Sequence, residues 1–461
     1  MYPISIRQCS GIGTSIVRRV ITASLVLAVG ATGTIASTIT KRPPNIVLIF
    51  TDDLGYADVG FNGGIDVPTP NLDRLAKNGV RSTDAYVTAP QCSPSRAGLL
   101  TGQYQQRFGY EYIIPDRYES GLPADRKIIP AHLKEAGYYT GMIGKWHLGH
   151  TEEYRPEGRG FDEFFGFLAG GHRYLESRPG APVTSPYAPL ITPHGEKHFK
   201  GDLTKVLAEE VAAFIDRNRA RPFFLYVPLN APHFPMEAPP ELEAQFSHVK
   251  DPKLRSYLAL IKNLDLAVGR IMEQLEASGV EKDTLVVFTN DNGGVASELS
   301  PSSNAPFRGK KGDLLEGGIR VPWIWSWPGT LKPGVHSDPI STLDLLPTFL
   351  RLAGASIPEG LDGVDVWPSV LGEKPPAREY LFWRFNRLGF QGAVRKGNWK
   401  YFVGVPRSWP ANPVGEFLYN LADDPGETRD LSKAHPEILK ELRQAYRAWD
   451  AKLEDPAWLP R

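Results

Sequence analysis

The sequence predicts an α/β protein: a large mixed, mostly parallel sheet sandwiched by helices, with a smaller C-terminal α+β domain of antiparallel sheet plus helix. Three observations predict it. Residues 45–51, 223–229 and 285–289 are continuous runs of apolar, β-branched and aromatic residues, the pattern of parallel strands buried on both faces. Segments of helical period alternate with these runs. After about residue 370 the texture changes to short, closely spaced strand-like segments.

The elements follow in order. The strand at 45–51 runs into Asp52-Asp53-Leu54-Gly55-Tyr56. Residues 69–76 read as a capped helix with Pro70 in its first turn, and Gly79 stops it. A polar, Pro-broken segment then carries Cys92, and the small, apolar run behind it, through Gly102, reads as a helix. Residues 129–136 form a short helix closed by Gly137, and 139–143 a strand leading into Gly144-Lys145-Trp146-His147-Leu148-Gly149. Residues 150–200 are rich in Gly, Pro, Tyr and His with little period, and read as an elaborated loop over a site. A helix over 202–217 precedes the strand at 223–229, which ends at Asn230-Ala231-Pro232-His233. Leu254, Tyr257, Leu258, Ile261, Leu264, Val268, Ile271 and Leu275 recur at helical spacing and define a long amphipathic helix ending at Gly279. The strand at 285–289 runs into Asn290-Asp291-Asn292-Gly293. Residues 380–385, 392–395, 399–403 and 416–421 read as mostly antiparallel strands, and 435–452 as a terminal helix with Pro436 in its first turn. This divides the chain into a large domain at 43–372 and a small one at 373–461.

Composition narrows the class. The 461 residues suffice for such a pair of domains, and 41% hydrophobic with 23% charged residues is ordinary for a globular protein. Lys plus Arg and Asp plus Glu both number 52, so the bulk charge carries no footprint of nucleic-acid binding. Residues 1–37 read as a signal peptide: Arg7, Arg18 and Arg19 precede an apolar run at 20–29 that is too short to span a bilayer, and small residues follow. That reading implies an exported protein, periplasmic or secreted, with no stable membrane insertion after cleavage. The Arg18-Arg19 pair also permits a twin-arginine route. Residues 1–36 hold three Arg and no acid, so their removal takes the net charge from 0 to −3. It also removes Cys9 and leaves Cys92 alone, without a partner for an internal disulfide. Cys92 is then either inert or chemical.

The motifs that carry chemistry all follow strands, where sheets of this kind place their sites. Asp52 and Asp53 at one strand end, with Asp291 and Asn292 at another, supply oxygen ligands suited to a hard divalent cation, Ca²⁺ or Mg²⁺. Either pair alone reads more simply as a turn or cap. Four cation-bearing segments accompany them: Arg96, Lys145 with His147, His233, and Arg308-Gly309-Lys310-Lys311. A divalent cation among several basic side chains makes a cradle for a tetrahedral oxyanion, so the substrate is expected to be a sulfate or phosphate ester. A histidine near the leaving oxygen is a candidate general acid.

In this order the motifs resemble the type I, formylglycine-dependent sulfatases of the alkaline-phosphatase-like superfamily. The resemblance rests on Asp52-Asp53-Leu54-Gly55, Cys92-Ser93-Pro94-Ser95-Arg96 with Leu100-Thr101-Gly102, Gly144 to Gly149, Ala231-Pro232-His233, Thr289 to Gly293, and Arg308 through Glu316-Gly317-Gly318-Ile319-Arg320-Val321-Pro322. It implies that a maturation enzyme oxidises Cys92 to Cα-formylglycine (3-oxoalanine). It also implies that Asp52, Asp53, Asp291, Asn292 and the modified Cys92 bind one Ca²⁺, and that Arg96, Lys145 and His147 hold the aldehyde hydrate. His233 would protonate the leaving alcohol. The family spacing puts a sulfate-binding lysine at Lys311, with Lys310 its neighbour. One hydroxyl of the hydrate would attack sulfur, and the other would lose its proton to expel sulfate, an exit that a simple serine ester lacks.

The resemblance is nearest to bacterial arylsulfatases and N-acetylgalactosamine-6-sulfatases, through residues 109–149 and the run 161–166. It implies a sulfated carbohydrate, or an aryl sulfate, as substrate. Two alternatives stand beside it: a phosphate mono- or diester or phosphonate hydrolase on the same fold, and a non-catalytic binder of sulfated glycans with Cys92 unmodified. Substrate choice is expected in loops near 105–125, 150–200, 295–308 and 385–412, where Tyr110, Tyr112, Arg117, His172, Arg173, Tyr174, Arg384, Arg387 and Trp409 suit a sugar or serve loop packing.

Overall fold

The computed structural model describes residues 42–114, 120–298, 300–386, 389–405 and 415–458. The signal-peptide reading at 1–37 lies outside them, as do Arg117, Arg387 and Trp409. Residues from Arg42 onward form one compact unit. Among the described residues no helix is long and apolar enough to cross a membrane.

Twelve strands precede the small C-terminal sheet: β1 (Asn45–Thr51), β2 (Val80–Ser82), β3 (Ala85–Tyr86), β4 (Tyr139–Lys145), β5 (Glu163–Phe167), β6 (Leu190–Thr192), β7 (Gly195–Lys197), β8 (Phe223–Pro228), β9 (Thr284–Asn290), β10 (Ile324–Ser326), β11 (Gly334–His336) and β12 (Ile340–Ser341). Ten of them form one sheet in the order β11-β2-β10-β9-β1-β8-β4-β5-β6-β7. Its centre is parallel: β1 pairs in parallel with β8 and β9, and β4 with β8 and β5. The antiparallel pairings lie outward, at β10 and at β6–β7. The predicted large, mixed, mostly parallel sheet is therefore the architecture observed.

The continuous apolar runs follow from burial on both faces. Ile46, Leu48 and Phe50 of β1 enter one core, and Val47 and Ile49 the other. The helices Leu203–Asn218 and Pro252–Ala277 cover the second core and pack on each other. The long helix buries seven of the eight predicted stripe residues, with Leu254 half-buried, and its chain turns at Gly279 with φ +69°. Asp202 and Asp251 cap these two helices by accepting from the backbone N–H of Lys205 and Lys253.

Two readings are corrected. The segment 150–200 is not loop throughout: β5 extends the parallel sheet beside β4, and β6 and β7 follow as a short ribbon. The run 163–167 is too short, and too bracketed by glycine and charge, to stand out by period. The helix Pro70–Asn78 is not capped by Thr69, whose hydroxyl instead donates to Asp73 and accepts from Gly60 N–H. Asp265 of the long helix accepts from the N–H groups of Asn71 and Leu72, so a tertiary contact supplies the cap.

The C-terminal part is a four-stranded antiparallel sheet of β13 (Leu381–Asn386), β14 (Phe390–Lys396), β15 (Trp399–Gly404) and β16 (Gly415–Asn420), with the helix Pro436–Asp450 against it. One face holds Val394, Tyr401 and Leu418 against Leu442 and Tyr446. The other sends Trp383, Phe385, Ala393 and Phe402 into the main core. This sheet also grips the segment that carries Lys311. Gln391 accepts from Leu314 N–H at 2.9 Å and donates to Gly312 O at 3.1 Å. Lys400 is buried between Glu316 and Glu427, 2.9 Å from each.

Candidate active site

Because β1, β4, β8 and β9 run parallel, their C-terminal ends open on one edge of the sheet. Asp52 and Asp53 follow β1, Lys145 ends β4, His233 follows β8, and Asp291 and Asn292 follow β9. The helix Cys92–Thr101 begins at Cys92 itself, and its N-cap Gln91 makes no side-chain cap. The free N–H groups and positive end of that helix therefore face the group at position 92.

The charged side chains interlock. Arg96 donates from Nε and Nη2 to Asp291 Oδ2 at 3.2 and 2.8 Å, and its Nη2 lies 3.6 Å from Asp52 Oδ2. Lys145 pairs with the same Asp52 oxygen. Lys311 Nζ lies 2.6 Å from Asp53 Oδ1, which also accepts from Asn292 at 2.7 Å. His233 Nε2 stands 3.6 Å from Asp53 Oδ2. Arg96, Lys145, Asp52, Asp291 and Asn292 are all fully buried. The structure thus brings together the predicted site residues, and of the lysine doublet Lys311 turns its ammonium into the cluster.

His147, two residues beyond the end of β4, takes φ +61° and is held by two backbone contacts. Its N–H donates to Leu168 O, and its own carbonyl accepts from Ser93 Oγ at 2.9 Å. Its ring packs on Gly170, where a Cβ would come within 2.6 Å of Nε2. A Cβ on Gly171 would come within 3.0 Å of the His233 ring. A Cβ at Gly170 would clash with the first imidazole, and one at Gly171 would crowd the second. Sequence reasoning missed these two glycines, and the available signal was a Gly-Gly doublet three residues beyond a short aromatic run.

Electrostatics follow from burial and neighbours. Burial pushes the Cys92 thiol up, more than the Lys145 and Lys311 charges lower it, so the site is not arranged around a thiolate. Burial also raises Asp53, but Lys311 and His233 overcome it and hold the carboxyl at about 2. Burial and the charge of Asp52 push Asp291 up to about 6. Burial, then the Lys145 cation, lowers His233 to about 3, against the pull of Asp53. His147 is lowered as well, by burial and by Lys145 and Arg96.

The donor set fits a hard divalent cation. Asp52, Asp53 and His233 place ligand atoms within 4.8 Å of one another. Asp52 Oδ1 and Asn292 Oδ1 are buried and have no hydrogen-bond partner among the described residues. Two orphaned oxygens beside two clustered carboxylates and an imidazole are what an oxygen-seeking ion would satisfy.

Of the loop residues weighed between sugar contact and packing, several have partners within the protein. Tyr110 is buried and bonds Ser93 Oγ at 2.7 Å. Both ring nitrogens of buried His172 meet backbone carbonyls, of Arg173 and Ala188. Tyr174 is buried behind His233, and Arg384 pairs with Glu111 and Asp450. Arg173 is half-exposed and paired with Glu237, and Tyr112 accepts from Trp458 through its carbonyl. Composition alone does not separate a buried tyrosine from a binding one.

Comparison with known proteins agrees with this geometry. The sulfatase family description matches residues 44–355, and that of the N-sulphoglucosamine sulphohydrolase C-terminal region matches 310–451. The chain is a sulfuric ester hydrolase by class, and it belongs to the sulfatase family, of the formylglycine-dependent type. Mouse (Mus musculus) N-acetylgalactosamine-6-sulfatase is 36% identical over 90% of this chain and 82% of its own length. Human (Homo sapiens) arylsulfatase A is 35% identical, over 91% and 89%. The solved structure of Ps i-CgsB in complex with k-i-k-neocarrahexaose superposes with a TM-score of 0.85 at 37% identity, covering 91% of this chain and 95% of that one.

Proposed function

We propose that this enzyme hydrolyses a sulfate ester of a carbohydrate, using Cα-formylglycine made from Cys92 by a maturation enzyme, and one bound Ca²⁺. The observation that carries the reading is the convergence of Arg96, Lys145 and Lys311 with Asp52, Asp53 and Asp291 at the N-terminus of the Cys92 helix. A carbohydrate substrate is supported by the oligosaccharide in the similar structure and by the mouse relative's name. Export belongs with this reading, supported by the basic-then-apolar pattern of residues 1–37.

Asp52, Asp53, Asp291 and Asn292, with residue 92, would hold the Ca²⁺. When bound, the ion supplies positive charge against the sulfate oxygens, and the formylglycine supplies a hydrated aldehyde as nucleophile. The protein's own residues do the rest. Arg96 is fixed by Asp291 and stacks over Phe50 at 5.3 Å, so it presents its charge in one place. Lys145 and Lys311 neutralise the incoming ester. His233 donates Nδ1–H to Phe234 O at 2.6 Å, so a second proton taken by the ring sits on Nε2, where it is available to the leaving oxygen. Burial, then the Lys145 and Lys311 charges, favour the neutral ring. The negative charge of a bound sulfate ester favours its protonated form, so the acid is armed by substrate.

The test is sulfate release by purified enzyme from neocarrahexaose, N-acetylgalactosamine 6-sulfate and 4-nitrophenyl sulfate, with 4-nitrophenyl phosphate as comparison. Release from the sulfates supports the reading, and preference for the phosphate contradicts it.

A further inference from the structure

We infer that Tyr174 is a positioning residue for the proton donor of the reaction, an inference that rests on the function proposed above. The His233 backbone is tied from behind by one phenol. The Tyr174 hydroxyl lies 2.8 Å from His233 O and 3.0 Å from Asn230 O, and the side chain is fully buried. Asn230 O also accepts from His233 N–H at 2.8 Å, so both ends of the His233 peptide unit are fixed to the same turn. Asn230 is held in turn: its Nδ2 donates to His172 O at 3.0 Å, and the His172 ring is locked between two carbonyls. On the site side, Gly171 faces the His233 ring, and a Cβ there would come within 3.0 Å of it.

The consequence for chemistry is specific. A carbonyl accepts and does not donate, so the bond from His233 to Phe234 O places a hydrogen on Nδ1 and leaves Nε2 facing Asp53 and the site. In the reaction a new S–O bond forms to the nucleophile at position 92 as the S–O bond to the alcohol breaks; the His233 imidazolium, with Nδ1–H kept on Phe234 O, gives its Nε2 proton to the departing oxygen and is left neutral. The transfer needs Nε2 within hydrogen-bond reach of that oxygen. Tyr174 sets that distance through the backbone, while touching neither substrate nor the reacting atoms. Protonation matters little for an acidic phenol and much for a basic alcohol, so misplacing His233 is felt in proportion to the leaving group's basicity.

The experiment compares Tyr174→Phe with wild type on 4-nitrophenyl sulfate and on unsubstituted phenyl sulfate. The expected result is a kcat loss on the order of 10-fold greater for phenyl sulfate than for the nitrophenyl ester, with KM nearly unchanged. His233→Asn should show the same leaving-group dependence, more strongly. Gly171→Ala carries the test if Tyr174→Phe does not fold, because its methyl group displaces the same ring from the other side. Equal losses on both esters in the folded variants would overturn the positioning role and leave Tyr174 a structural residue. Wild-type enzyme that releases sulfate neither from these esters nor from the carbohydrate sulfates named above would overturn the proposed function, and this inference with it.

Discussion

Lys311 Nζ lies 2.6 Å from Asp53 Oδ1, joining the loop after β9 to the loop after β1 across the mouth of the site. The pair is the seam between the acidic cluster and the cationic cradle. Burial lowers Lys311, but Asp53 and the neighbouring anions hold it charged throughout the ordinary pH range. Lys311→Ala should lower kcat/KM for any sulfate ester by on the order of 100-fold or more, the scale of losing one preorganised charge. Lys310→Ala should stay within about 2-fold, the scale of a residue that adds no transition-state interaction. Steady-state kinetics of the two variants separate the members of the doublet.

Divalent-ion removal should be felt in stability as well as in turnover. Asp52, Asp53 and His233 bring their ligand atoms close together, and the buried oxygens of Asp52 and Asn292 that lack partners among the described residues would be satisfied by a cation. Chelation should reduce activity at least about 10-fold and lower Tm, since a ligand that binds only the folded state stabilises it by mass action. Ca²⁺ should restore both. An unchanged melting curve with full activity after exhaustive chelation would contradict the metal assignment.

Much of this was legible in sequence for a physical reason. Strands buried on both faces are written as unbroken apolar runs, and β1 and β9 end directly in Asp52 and Asp291, so fold and site were announced together. The long helix was equally plain from its stripe. Legibility failed where tertiary contact decides. Asp265 caps a helix far away in the chain, β5 is identifiable only by its pairing with β4, and Tyr174 and His172 are core rather than surface. The Lys310-Lys311 doublet carries no internal sign of which side chain turns inward. That follows from the Lys311 N–H bond to Gly294 O and from Gln391 of the small sheet gripping Gly312 and Leu314.

Asp58 sets a pH dependence of stability. It is half-buried, and its carboxylate accepts from Ser303 N–H, Gly55 N–H and the Tyr257 hydroxyl. Burial nonetheless raises its pKa from 3.8 to about 6. A carboxyl raised in the folded state contributes stability that is fully present below about pH 4 and lost as pH rises through about 6. The loss is on the order of 2 kcal/mol after allowing for partial exposure. Asp58→Asn removes the titration. The wild-type Tm minus the Asp58→Asn Tm should therefore fall between pH 4 and 7. A flat difference would show that the folded protein leaves this carboxyl unshifted.

The central claim is that the working group at position 92 is an aldehyde. Cys92 is buried at the first turn of its helix, and burial disfavours its thiolate, while a cradle built for an oxyanion surrounds it. The most direct measurement is the mass of the peptide spanning Cys92, taken from a preparation that hydrolyses sulfate esters and compared with hydrazide labelling of the same peptide. The expected result is the mass of a residue converted from thiol to aldehyde, captured by the hydrazide, with Cys92→Ala inactive yet folded. A fully active preparation whose peptide carries an intact, unlabelled cysteine thiol would contradict the account.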